Sequence, residues 1–167
     1  KTMRKFLDDI GVDPHYGTDD LTEYKDDHSI WIGEQLKYGF DSRDAWSVSD
    51  TMVALLYERL KMFEIVADRS AGIDLDDPVP TVYNLTLSRR EWLRKLYALA
   101  EYVLQYEFNQ KPPADIMTDQ LRDHWQQLSS IVGEERSYTY GRSYIYPGDA
   151  QNLFWDIWAK IHMYFWH

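Results

Sequence analysis

The sequence predicts an all-α fold: a compact helical domain with two long antiparallel helices, a small tyrosine-rich β-hairpin and a C-terminal oligomerisation helix. Three observations carry that expectation. Segments 49–69 and 88–110 repeat apolar residues with the period of a helix. Ser88 and Glu91 have the spacing of a capping box, and Pro112 and Pro113 end the segment because neither can donate a helix hydrogen bond. The closing segment, 149–166, is apolar nearly all round, as suits a helix central to a core or covered by another chain.

Taken in order, the first 40 residues pair acids at Asp8-Asp9, Asp19-Asp20 and Asp26-Asp27 between Gly11, Pro14 and Gly17, and read as short helices and turns. IWIGEQLKY, 30–38, reads as a short helix with Ile30, Trp31 and Leu36 as its apolar contacts, ended by Gly39. Ser47 with Asp50, or Ser49 alone, can cap the long helix that follows. SAGIDLDDPVP is a loop, broken by Gly72, Pro78 and Pro80. The 88–110 helix sets Trp92, Leu96, Leu99 and Val103 on one column, with Glu91, Arg94, Lys95, Glu101 and Gln105 on its opposite, polar face. A further helix spans 115–131, burying Ile116, Leu121, Trp125, Leu128 and Ile131. SYTYGRSYIYPG, 137–148, alternates too tightly for a helix and reads as a hairpin with Tyr138 and Tyr140 facing Tyr144 and Tyr146 across Gly141-Arg142.

A chain of 167 residues fits one domain, 1–167, with a real core. It holds no apolar run long enough to span a membrane and no signal-peptide pattern, so a soluble, intracellular protein without membrane association is expected. The absence of cysteine excludes a disulfide framework and thiolate metal sites. A net charge of −10 argues against long nucleic acid as a partner, although a small anion can still bind in a local basic pocket. Aromatic residues make up 16% of the chain, more than a core of this size needs, and such an excess often goes to interfaces or to stacking on planar ligands.

No P-loop, G-x-S-x-G, H-E-x-x-H or EF-hand pattern is present, so no enzyme, cofactor or metal site is expected. His15, His28, His124, His162 and His167 are scattered, and the paired aspartates show no asymmetry that would split their pKa values for acid–base work. Arg59 draws attention because it falls in the apolar column of Leu55, Met62 and Val66, where a guanidinium needs an anion or acceptors in place of water. It is either a structural ion pair or a ligand-phosphate contact. Glu107 is the obvious internal partner, but antiparallel register puts it near Asp50, about two turns from Arg59. The hairpin tyrosines and Arg142 have the same two readings, cross-strand stabilisation or nucleotide binding by stacking rings and a phosphate contact. Trp46 is a core anchor or a base-stacking platform beside a helix start.

Residues 39–64, GFDSRDAWSVSDTMVALLYERLKMFE, followed by 87–107, LSRREWLRKLYALAEYVLQYE, resemble a widespread family of tailed-phage proteins. The family pattern is G-F-D-x-x-x-T-W-x-L-D-x-T-I, then a P-R-L-K-R-F helix and a second helix with an early Trp. The match holds at Gly39, Phe40, Asp41, Trp46, Thr51, Arg59, Leu60, Lys61 and Phe63, and departs at Ala45, Ser49, Glu58 and Met62. It covers residues 36–108 and does not reach the C-terminal third. The family looks like the anti-CBASS sponges, small oligomers that sequester cyclic dinucleotides such as 3′3′-cGAMP without cleaving them. That resemblance implies a cyclic-dinucleotide ligand, a homo-oligomer with a tetramer as its expected size, and the host bacterial cytoplasm as its location.

The function expected is therefore a phage immune-evasion protein that binds a cyclic nucleotide. Trp46, Tyr140 and Tyr144 would stack on bases, Arg59 and Arg142 would contact phosphate, and Ser47 and Thr51 would add hydrogen bonds. Two alternatives stand beside it. An acidic inhibitor of a host protein, such as a nucleic-acid enzyme, needs a contiguous acidic face. A metal-dependent phosphohydrolase or nuclease needs the N-terminal aspartates to converge.

Overall fold

The computed structural model describes residues 5–12, 25–38, 48–70, 72–132 and 144–165. Among them the chain is mainly helical: α1 (Lys5–Asp9), α2 (Lys25–Tyr38), α3 (Val48–Arg69), α4 (Arg89–Glu107), α5 (Pro113–Ile116), α6 (Asp119–Val132) and α7 (Pro147–Ile161), followed by a 3-10 turn, His162–Phe165. No described helix is long and apolar enough to cross a membrane.

α4 is the centre. Ser88 caps its first turn, accepting from the Glu91 amide while the Glu91 carboxylate accepts from the Ser88 amide, so two otherwise orphaned donors are satisfied together. The helix packs against α7, α3, α6 and α5, and its Leu93, Leu96, Leu99, Ala100 and Leu104 are 0% exposed. Gln105 and Asn109 extend its end by donating to the Ile10 and Gly11 carbonyls, which holds α1 in place and buries Leu7 and Val12.

α3 runs antiparallel to α4, and a ladder of polar contacts sets the register. The Tyr57 hydroxyl donates to Glu101 at 2.9 Å, and the Tyr97 hydroxyl donates to Glu64 at 2.9 Å and to the Leu60 carbonyl at 3.1 Å. Arg90 reaches Asp68 at 2.7 Å, Asp76 at 2.8 Å and Glu64 at 3.2 Å. The Tyr57 and Tyr97 rings meet edge to face at 5.7 Å, with the Lys61 ammonium 4.0 Å from the Tyr97 centroid. These contacts turn Val53, Ala54, Tyr57 and Leu60 inward. The column expected to be buried, Leu55, Met62 and Val66, consequently faces outward at 39%, 42% and 55% exposure.

Other expectations also change. Residues 144–146 carry no strand; Tyr146 instead starts α7, while Tyr138, Tyr140, Gly141 and Arg142 lie outside the described residues. The β-type pairing that does occur is in the α3–α4 connection, where Pro78 bridges Ser88 and Val82 bridges Leu85 around Tyr83 and Asn84, both left-handed at φ 51° and 56°. Tyr-Asn is not the Asn-Gly signal by which such a turn is recognised in a sequence. Thr118 caps Leu121 at 3.0 Å and splits the expected 115–131 helix into α5 and α6. Ile30 and Leu36 of α2 are 55% and 84% exposed rather than packed. The apolar α7 is covered on one side by this chain's own α4, with Leu153, Phe154, Ile157 and Ile161 buried, so a core position accounts for that part of its pattern.

Lys95, assigned by periodicity to the polar face, is buried because α6 lies over that flank. Its ammonium hydrogen-bonds Gln127 and lies 3.0 Å from His124 Nδ1, whose lone pair accepts it. Burial lowers the affinity of both groups for protons, and for His124 the neighbouring Lys95 charge adds to the effect against a smaller contribution from Asp123.

Two consequences follow for stability. Leu104→Ala is expected to cost about 2–5 kcal/mol in urea denaturation, against less than about 0.5 kcal/mol for Leu36→Ala. The unfolded His124 takes a proton near its ordinary value of 6.5, whereas the folded one resists it, so stability should fall as pH drops below that value, and His124→Gln should weaken the fall.

Candidate functional site

Three helix ends meet where α3 begins, α4 finishes and α7 begins. Asp50, in the first turn of α3, accepts from the Gln151 side-chain amide of α7 at 2.7 Å, and Glu107 closes α4 close enough to feel the Asp50 charge. Tyr102 ties the same end together by donating to the Ile145 carbonyl. Burial pushes the Asp50 carboxyl up and the Gln151 amide holds it back; burial also pushes Glu107 up, with Asp50 adding to it.

Two of the sequence-predicted residues belong to this end. Thr51 is half-buried next to Asp50, and its Oγ1 is buried with no hydrogen-bond partner among the described residues. Tyr144 is half-buried at the approach to α7, and its proximity contributes to the raised pKa of Tyr102, after the larger effect of burial. Arg59 does not join them. It is exposed two turns further along α3, about 12 Å from Thr51 along the axis, and no ion pair engages it among the described residues. Trp46, Ser47, Tyr140 and Arg142 lie outside the described residues, in segments that join the described chain at Val48 and Tyr144.

The chemistry of this end is that of acceptors. Asp50 and Glu107 put negative charge at the start of α3, which opposes a phosphate there, but they suit the N–H edge of a base, and Thr51 offers a hydroxyl that can donate or accept. A separate cleft of about 310 Å³ between α1, α4 and α6 is lined by Glu101, Gln105, Thr118 and Gln120 among its polar groups, with no Lys or Arg, so it too lacks the cation a phosphate requires. Among the described residues no cluster of three or more His, Asp or Glu side chains is placed to hold a metal.

Sequence reasoning found the signal for Glu107, an acid inside an apolar arc, but missed Gln151, whose partner Asp50 is 101 positions away in the chain. It missed the Lys95–His124 contact for the same reason, since a lysine on one helix says nothing about the helix that will cover it.

Because folding raises the Glu107 pKa above its ordinary 4.5, the native state holds the proton more tightly, and stability falls as pH rises from 4.5 through the folded value. Glu107→Gln should therefore be more stable than the parent at pH 7, by a few tenths of a kcal/mol for so solvated a group, and no more stable near pH 4; thermal melts at the two pH values check this. No protein-family model matches this chain, and no curated protein or solved structure is significantly similar to it.

Proposed function

We propose that this protein is a phage-encoded, non-catalytic homo-oligomer that holds a cyclic nucleotide signal such as 3′3′-cGAMP and so denies it to host defence effectors in the bacterial cytoplasm. Arg59 carries the reading. It is an exposed guanidinium without an ion pair among the described residues, on a chain of net charge −10, framed by apolar side chains. Its planar fork suits a phosphate better than a solvated ammonium would. Asp50, Glu107 and Thr51 supply acceptors and a hydroxyl for base edges at the head of the same helix. In this reading Trp46, Tyr140 and Tyr144 stack on bases, Arg142 adds a second phosphate contact and Ser47 a hydrogen bond.

Titration calorimetry against 3′3′-cGAMP and a panel of cyclic and linear nucleotides tests it. The expected outcome is tight binding by the parent and a loss of about tenfold to a hundredfold in Arg59→Ala, which should keep its helical circular dichroism because the side chain is exposed. The ligand should be recovered intact after denaturation. Heat-silent titrations across the panel would refute the proposal, and a linearised product would make the protein an enzyme.

A second reading, inhibition of a host protein by direct binding, is favoured by α2, where Ile30, Ile32 and Leu36 stand 55%, 48% and 84% exposed. It expects one host protein to dominate a pull-down and to be lost when Leu36 becomes Glu.

A further inference from the structure

We infer that α3 is a self-pairing helix: two copies of this chain meet antiparallel across a twofold axis level with Tyr57, with Val48, Met52, Leu55, Arg59, Met62 and Val66 forming the seam. This deepens the self-association in the reading above and rests on that part of it alone; nucleotide binding is not assumed.

The seam starts from exposure. Val48, Met52, Leu55, Met62 and Val66 are 58%, 46%, 39%, 42% and 55% exposed, while Val53, Ala54, Tyr57 and Leu60 on the opposite side of the helix are buried against α4. With Arg59 the outward residues recur at alternating spacings of four and three, the spacing of side chains that interlock between paired helices. A second helix can interlock with such a stripe along its whole length.

The order of residues identifies which helix. Along the stripe the side chains read Val, Met, Leu, Arg, Met, Val, a sequence almost identical from either end. Turning a second copy about an axis at Tyr57 sets Val48 on the partner's Val66, Met52 on the partner's Met62 and Leu55 on the partner's Arg59. Such a patch is complementary to itself, as an isologous twofold contact requires. The five apolar side chains expose on the order of 450 Å² per chain, so pairing removes at most roughly 900 Å² of apolar stripe from water, the size of a weak, reversible contact.

Arg59 fits this seam by laying its methylenes along the partner's Leu55 and carrying its guanidinium outward. The axis brings the two Arg59 residues to about 6 Å from each other along the helix direction, and their repulsion limits the affinity of the pair. The arrangement thus explains a cation in an otherwise apolar stripe. It also creates a paired anion site that neither chain has alone.

The full chain has no cysteine, which allows a register test by disulfide trapping. Val48→Cys and Val66→Cys variants, mixed with a mild oxidant and no nucleotide, should cross-link about tenfold faster than either variant alone. Faster cross-linking of Val48→Cys with itself would show parallel pairing and overturn the inference, as would no cross-linking in the mixture. Sedimentation of the ligand-free protein gives a second readout: Met62→Glu should raise the concentration at which dimers form by about tenfold or more, and Arg59→Leu should lower it by a similar factor. A parent that stays monomeric, or a dimer indifferent to both changes, would refute the seam. A silent nucleotide titration with the cross-linking pattern intact would refute only the ligand.

Discussion

Burial of α4 on nearly every side is the constraint on which the rest of this structure depends. A helix surrounded in this way draws most of its polar side chains to partners on its neighbours, although the buried Trp92 Nε1 finds none among the described residues. Glu101 receives Tyr57, Tyr97 finds Glu64 and the Leu60 carbonyl, Gln105 takes the Ile10 carbonyl, and Lys95 finds His124 and Gln127. Apolar contact supplies most of the stabilisation, but these pairings select which face each surrounding helix presents. Their directionality distinguishes one rotation of α3 from another, which non-directional burial does much less well.

That selection has an unusual result on α3. The helix has more than one face apolar enough to bury, and the one chosen carries Ala54 and Tyr57, leaving Leu55, Met62 and Val66 in water. The chosen face is the one that can reach Glu101 and Tyr97. An apolar stripe left outside has to be explained by something other than the monomer's core, and its regularity along the helix makes incidental exposure a poor explanation.

Helix content was legible in the sequence because it depends on local periodicity, caps and breakers: α3, α4 and α7 begin and end near their expected limits, and Ser88 with Glu91 forms the expected cap. Which side of a helix is buried depends on partners far away in the chain, and there the sequence was a weaker guide. Lys95 moves from a polar face to the interior because α6 covers it, and one side of α7 belongs to the core because it packs on α4. Tyr83 adopts a left-handed turn conformation that its residue type disfavours, beside an Asn84 that tolerates it, and two backbone hydrogen bonds between Val82 and Leu85 at 3.0 and 2.9 Å hold the turn. Of the candidate site, Thr51 and Tyr144 were found at one end of the molecule; Asp50 and Glu107 were visible as a register effect; Gln151 left no trace in local pattern.

Lys95 also bears on how the protein meets reactive chemicals. An amine held away from water gives up its proton more readily. The same packing keeps reagents away from it, since only 4% of the residue is exposed. Acylating or carbonylating reagents would reach the amine only when α6 lifts from α4. Lys95 is thus a built-in reporter of that opening, silent in the closed molecule and reactive in proportion to the time the two helices spend apart.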